Sequence, residues 1–145
     1  MSGTLKLKAE DKDDLVVLSS LLQDSVLKVQ EMSYLPSANR FAAVFNRFIW
    51  EGEGEKRKRT HARVRSGLHF DTVRAVKTKN VPFLEKDHVL ELLAIEHSAG
   101  ETQDHILLTF AGGGQVRLDV EAIDVQLCDM GMAWVTKNKP AHPDT

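Results

Sequence analysis

Apolar residues recur at two different periods along this chain, and the change of period marks its elements. Leu5 and Leu7 alternate with Lys6 and Lys8, which predicts a short half-buried strand. An acidic cluster follows, EDKDD at residues 10–14. Leu15, Leu18, Leu22, Val26 and Val29 then come at spacings of three and four, with Val17 and Leu21 widening the stripe. Asp11 or Asp13 suits the N-cap, and the other acids suit the positive end of a helix dipole. The spacing predicts one amphipathic helix over 12–26.

Beyond the helix the period is two. Residues 28–35 (KVQEMSYL) run into Pro36-Ser37-Ala38-Asn39, whose composition is that of a turn. RFAAVFNRFIW at 40–50 is apolar on both faces over its first half, as expected of a central strand covered on both sides. Thr60, Ala62, Val64, Ser66, Leu68 and Phe70 then form one face of a strand whose other face carries His61, Arg63, Arg65, Gly67 and His69. Asp71-Thr72 breaks the phase before Val73 and Val76. HVLELLAIE at 88–96 and HILLTFA at 105–111 predict two more strands, joined by SAGETQD. Gly112-Gly113-Gly114 turns the chain into a further strand carrying Val116, Leu118 and Val120. A phase shift to Ile123, Val125 and Leu127 predicts a break near Glu121-Ala122. From Met132 onward the chain is polar with two prolines, and reads as a tail anchored at most by Trp134.

These elements predict an α+β domain over residues 1–131 with a polar tail at 132–145. The sheet is mainly antiparallel, of about six or seven strands that can curl into a partial barrel, with the N-terminal helix packed on it.

Composition adds bounds. At 145 residues, 42% apolar and 28% charged, one domain buries enough surface to need no staple. The single cysteine, Cys128, has no partner within the chain, and MSGTLKLK is too polar for a secretory leader, so a reducing cytoplasm and no membrane association are expected. No cofactor motif is legible. A formal net charge of −2 means that any attraction to a polyanion must come from a local patch.

One such patch exists. Six of the ten residues from Lys56 to Arg65 carry a permanent positive charge. Lys56, Arg57, Lys58 and Arg59 fall in the loop between Trp50 and Thr60, where Glu51, Glu53 and Glu55 offer counter-charges and the loop charges carry little stability. His61, Arg63 and Arg65 lie on the polar face of the following strand. The plain reading is a solvated edge. The functional readings are a protein partner docked on an arginine edge, or a weak, sequence-independent contact with RNA or another anion. No aromatic residue alternates with the arginines, so a stacking platform for bases is missing. Arg47 interrupts an otherwise apolar strand and can extend this anion-binding face.

Other chemistry is thinner. His97 and His105, at the two ends of the SAGETQD loop beside Glu96 and Asp104, form the weak candidate for a metal site. The glycine triplet joins strand to strand rather than strand to helix, which favours a tight turn over a phosphate loop. Cys128 beside Asp129 reads as a small buried or half-buried side chain rather than a nucleophile. Asp119, Glu121, Asp124 and Asp129 read as a polar outer face. No nucleophile, base and oxyanion set is legible, so a non-enzymatic binding or accessory protein is preferred, with an enzyme of unrecognised type as the remaining class.

YLPSANRFAAVFNRFIWE, the basic run into SGLHFDTVRAV, and LLTFAGGGQVRLDVEAIDVQLCDMG with the Trp134 and Pro140 tail together resemble a family of short bacterial proteins of unknown function. The resemblance covers nearly the whole chain and implies a single-domain cytoplasmic protein. It assigns no catalytic or binding residue.

Overall fold

The computed structural model describes residues 5–52 and 54–135. Ten strands and one α-helix follow in the order β1 (Lys6–Ala9), α1 (Lys12–Leu22), β2 (Val26–Lys28), β3 (Met32–Leu35), β4 (Arg40–Glu51), β5 (Lys58–Phe70), β6 (Val73–Lys79), β7 (Val89–Ser98), β8 (Asp104–Phe110), β9 (Gln115–Val120) and β10 (Val125–Val135). They form one open sheet in the order β1-β10-β5-β4-β2-β7-β8-β9-β6, with β3 added to the edge of β4. Each pairing is antiparallel. The expected class holds, but ten strands replace the six or seven expected.

The two ends of the described chain depart from expectation, and the first departure adds a strand. The helix stops at Leu22 rather than reaching residue 26. Asp24 takes a left-handed φ of 69°, its N–H donates to Leu92 O at 2.9 Å, and Leu92 N–H donates to Ser25 O at 2.8 Å. β7 thus captures the chain before another turn can form, and the β-branched Val26 begins a strand that bridges β4 and β7. At the other end, β10 runs through Met132–Val135, so that part of the expected tail belongs to the sheet. Gly131, at φ 83°, lies where the register of β10 against β5 slips between Met130 and Trp134, a bulge that a side chain would strain. The rest of the expected tail, 136–145, lies outside the described residues.

The helix is built as its sequence suggests. Asp11 is the N-cap, its carboxylate accepting from Asp14 N–H at 2.8 Å, and Asp13 and Asp14 lie in the first turn. Leu15, Leu18 and Leu22 are buried, whereas Val16 and Val17 face solvent. The buried stripe packs on β7, β1 and β4, and Ser19 Oγ accepts from Ile95 N–H at 2.9 Å.

One core serves the whole sheet, from Ala9 in β1 to Val73 in β6. Phe45, Phe70 and Phe110 are among its fully buried side chains. β4 buries Phe41, Ala43 and Phe45 on this side, while its opposite face is half-buried rather than covered. The turns fall where composition put them. Asn39 is left-handed after Pro36–Ala38, Thr72 is left-handed between β5 and β6, and Gly112 and Gly113 have φ of 87° and 96° between β8 and β9. The expected break at Glu121-Ala122 separates β9 from β10.

Candidate functional site

Arg47 and Arg63 come from neighbouring strands but point to opposite sides of the sheet. Across β4 and β5, Arg47 is opposite Val64 and Phe45 is opposite Ser66, residues of the core face. Arg47 is therefore buried at 6% exposure. Its Nε donates to Asp129 Oδ1 at 3.0 Å and its Nη2 to Asp129 Oδ2 at 2.9 Å, a bidentate pair reaching across to β10. Ser66 Oγ donates to Asp129 Oδ1 at 2.6 Å, and Leu5 N–H donates to Oδ2 at 3.2 Å. Burial alone would raise the Asp129 pKa. Hydrogen bonds from Arg47 and Ser66, the Arg47 charge and the Leu5 N–H outweigh it, holding the carboxyl below its ordinary value. Arg47 does not extend the basic face: its charge is already satisfied inside. Asp119 and Asp129, expected on a polar outer face, are both buried.

The outer face carries the other arginines. Lys58 and Arg59, expected in the loop, belong to β5, because β4 and β5 stay paired to Glu51 and Lys58. Phe48 is opposite Arg63 and Trp50 opposite Arg59, with a bulge between the two pairs. Thr60 Oγ1 holds that bulge, donating to Ile49 O at 2.8 Å and accepting from Ala62 N–H at 3.1 Å. The result is a set of cross-strand stacks. The guanidinium of Arg57 lies 4.2 Å from the Trp50 ring centre, and those of Arg59 and Arg63 lie 4.1 and 4.7 Å from that of Phe48.

No aromatic residue alternates with these arginines along β5, yet rings lie beneath them. They come from the adjacent strand, where Phe48 and Trp50 alternate with Arg47 and Ile49. The missing signal was the register: pairing Glu51 with Lys58 brings these rings under the arginines.

Counter-charges also come from elsewhere than expected. Arg59 meets Asp24 at 3.8 Å, and Arg65 Nη2 donates to Glu31 Oε2 at 2.7 Å. Arg57 donates to Ser20 Oγ and Ser20 O at 2.5 and 2.7 Å, tying the β4–β5 hairpin to the last turn of α1. Among the described residues neither Glu51 nor Glu55 makes an ion pair, and Glu53 lies outside them. Lys56, Lys58 and His61 are exposed.

His97 and His105 do not share a site. His97 is opposite Ile106, a core residue, and its Nε2 lies 3.1 Å from Asp104. His105 is opposite Ser98 and Asp119, and its Nδ1 lies 2.8 Å from Asp119 Oδ1. Adjacent positions on a strand face opposite ways, so the two imidazoles are on opposite sides of the hairpin. Among the described residues, no group of three or more His, Cys, Asp or Glu is placed to hold a metal ion. Cys128 is half-buried, with Sγ 3.5 Å from Asp129 O. No helix is long and apolar enough to cross a membrane.

Residues 5–142 match the family described as Protein of unknown function (DUF2948), and the chain belongs to that family. No curated protein and no solved structure is similar enough to match.

Proposed function

We propose that this member of the DUF2948 family is a non-enzymatic binding protein, whose docking surface is the outer face of β4 and β5 and whose partner is a protein presenting carboxylates there. The observation that carries the proposal is the cross-strand stack of Arg57, Arg59 and Arg63 on Trp50 and Phe48. Stacking fixes long side chains before a partner arrives, so less conformational entropy is lost on binding. Arginine and aromatic residues are also the types in which interface binding energy concentrates. Of the six permanent cations from Lys56 to Arg65, Arg59 and Arg65 have carboxylate partners among the described residues, which leaves a positive surplus there. A cytoplasmic setting fits the single cysteine and remains part of this proposal.

A carboxylate-bearing partner is favoured over nucleic acid by the same geometry. The rings that would stack on bases are occupied by guanidinium groups, and the nearby Asp24 and Glu31 weaken attraction to a phosphate chain.

Two fluorescent probes test the choice, a ten-residue polyglutamate and a twelve-residue oligouridylate. The polyglutamate should bind, and Arg57→Ser with Arg63→Ser should weaken it at least roughly tenfold. The RNA should bind no tighter than about 10⁻⁴ M at physiological salt. RNA binding tighter than polyglutamate, with a log–log salt slope of about −3 to −5, would establish a phosphate-binding face and reject the protein-partner reading.

A further inference from the structure

A second surface lies where the open sheet leaves a seam. β6 ends the strand order, paired on one side to β9, and β3 is paired on one side to β4. The two are pinned together at one point. Val73 N–H donates to Asn39 O at 2.8 Å, and the Tyr34 hydroxyl donates to Val73 O at 3.3 Å. Beyond that point they share no ladder, and a cavity of about 170 Å³ lies between them. Met32, Tyr34, Phe41, Val76, Phe83 and Val116 line it. Phe41 and Val116 belong to the buried core, so the seam is a place where the core comes close to solvent between two strand edges.

Its surroundings carry further signs. Phe83, at the mouth, is 50% exposed, and its neighbour Leu84 is 98% exposed. The side of β6 facing away from the core bears Lys77 and Lys79, grouped with Arg117 of β9 around a shallow depression. Lys77 meets Asp119 only at 3.9 Å, and Asp119 is already engaged by His105. Lys79 makes no ion pair with another described residue.

We propose that the free edge of β6 accepts an extended peptide of a partner protein as an added strand, in which apolar and acidic residues alternate. Alternation is required because successive side chains of a strand point to opposite faces. The apolar set enters the seam, and the acidic set lies opposite Lys77 and Lys79, where opposite charges favour cross-strand pairing. Main-chain hydrogen bonds to the β6 edge supply the rest, as in recognition by strand addition generally. Lysines on an edge ordinarily guard against indiscriminate pairing. Here they flank an apolar cavity, so they also choose the sign of the strand that pairs.

The probe is an acetylated, amidated octapeptide of alternating valine and glutamate, titrated into the isotope-labelled full chain and followed by amide chemical shifts. Shifts should concentrate at Val73–Lys79 and Met32–Leu35. The double change Lys77→Glu with Lys79→Glu should weaken binding roughly tenfold, as two favourable cross-strand pairs become unfavourable. Thr78→Trp, at an exposed position on the cavity wall, should block entry while leaving the remaining amide spectrum unchanged.

No shift at millimolar peptide would overturn the proposal, as would equal binding by a valine–lysine octapeptide. Shifts confined to Lys56–Arg65 would assign the acidic peptide to the arginine face instead. Seam amides that broaden with protein concentration in the absence of peptide would make the occupant a second copy of this chain.

Discussion

Arg47 and the arginines of the β4–β5 hairpin are the same side chain put to opposite uses on the two faces of the sheet. Arg47 points inward and is held by Asp129 and Ser66, with its guanidinium out of water. Arg57, Arg59 and Arg63 point outward, resting on aromatic rings with only part of their charge matched. An interior cation must be fully paired, because desolvation costs more than an incomplete partner returns. An outer cation need not be, because water completes its solvation. Charge on the core side is thus committed to the fold, whereas on the outer side Arg57 and Arg59 are only partly engaged, with Ser20 and Asp24, at half-exposed positions.

The sharpest way to break this contrast is Asp129→Ala. It leaves Arg47 buried without its carboxylate and should cost about 3–5 kcal/mol by urea denaturation, a large part of the stability of an ordinary domain. The same pair predicts an acid phase. The folded pKa of Asp129 lies below its unfolded value, so its contribution is complete above pH about 4 and is lost as pH falls through the folded pKa. Stability measured against pH should therefore fall below about pH 4. Subtracting the profile of Asp129→Asn should remove part of that fall, and parallel profiles would show that the pair is not its source.

Next in size is the replacement of the whole network. Arg47→Met, Ser66→Ala and Asp129→Leu together should leave stability within about 1–2 kcal/mol of the starting protein, in either direction, because buried ion pairs and packed apolar groups often come out nearly even. A loss as large as that of Asp129→Ala would mean that the network contributes net stability rather than only being costly to break.

How much of this was legible beforehand follows from what each feature depends on. The helix start at Asp11, the glycine turn between β8 and β9, and the phase break at Asp71-Thr72 depend on neighbouring residues, and local pattern was enough for them. The end of α1 was not legible, since Val26 and Val29 continue the helical stripe and only pairing with β4, β7 and His88, distant in sequence, draws them into other structure. The proposed docking face was half legible. Its cations were plain from composition, but the aromatic rings beneath them and the diversion of Arg47 to Asp129, eighty-two positions along the chain, depend on strand register and on β10 joining β5.

Within the basic stretch, Arg57 and Lys58 sharpen the comparison further. The stretch from Lys56 to Arg59 was expected to carry little stability. Arg57 instead holds Ser20 at the end of α1 and stacks on Trp50, so Arg57→Ser should cost about 1 kcal/mol in thermal or chemical denaturation. Lys58→Ser, at an exposed position, should change stability by no more than about 0.5 kcal/mol. Equal effects would mean that the latch to α1 carries no measurable energy.

The smallest effect tests the outer face most directly. Glu31 lies in the single turn between β2 and β3, where Oε1 accepts from Lys28 N–H at 3.2 Å and Oε2 accepts from Arg65 at 2.7 Å. Glu31→Gln preserves the shape of the side chain and can keep the first contact, but it removes the charge that neutralises Arg65. Both side chains of the ion pair are partly exposed, so the stability cost should be only a few tenths of a kcal/mol. Polyglutamate should then bind roughly two- to fivefold tighter at low salt, with the gain shrinking as added salt shortens the screening length. Asp24→Asn should act likewise through Arg59, and asparagine tolerates the left-handed backbone at that position. If both variants bind polyglutamate no more tightly than the unmodified chain, Arg59 and Arg65 take no part in binding, and the docking surface contracts to Arg57 and Arg63 on their rings.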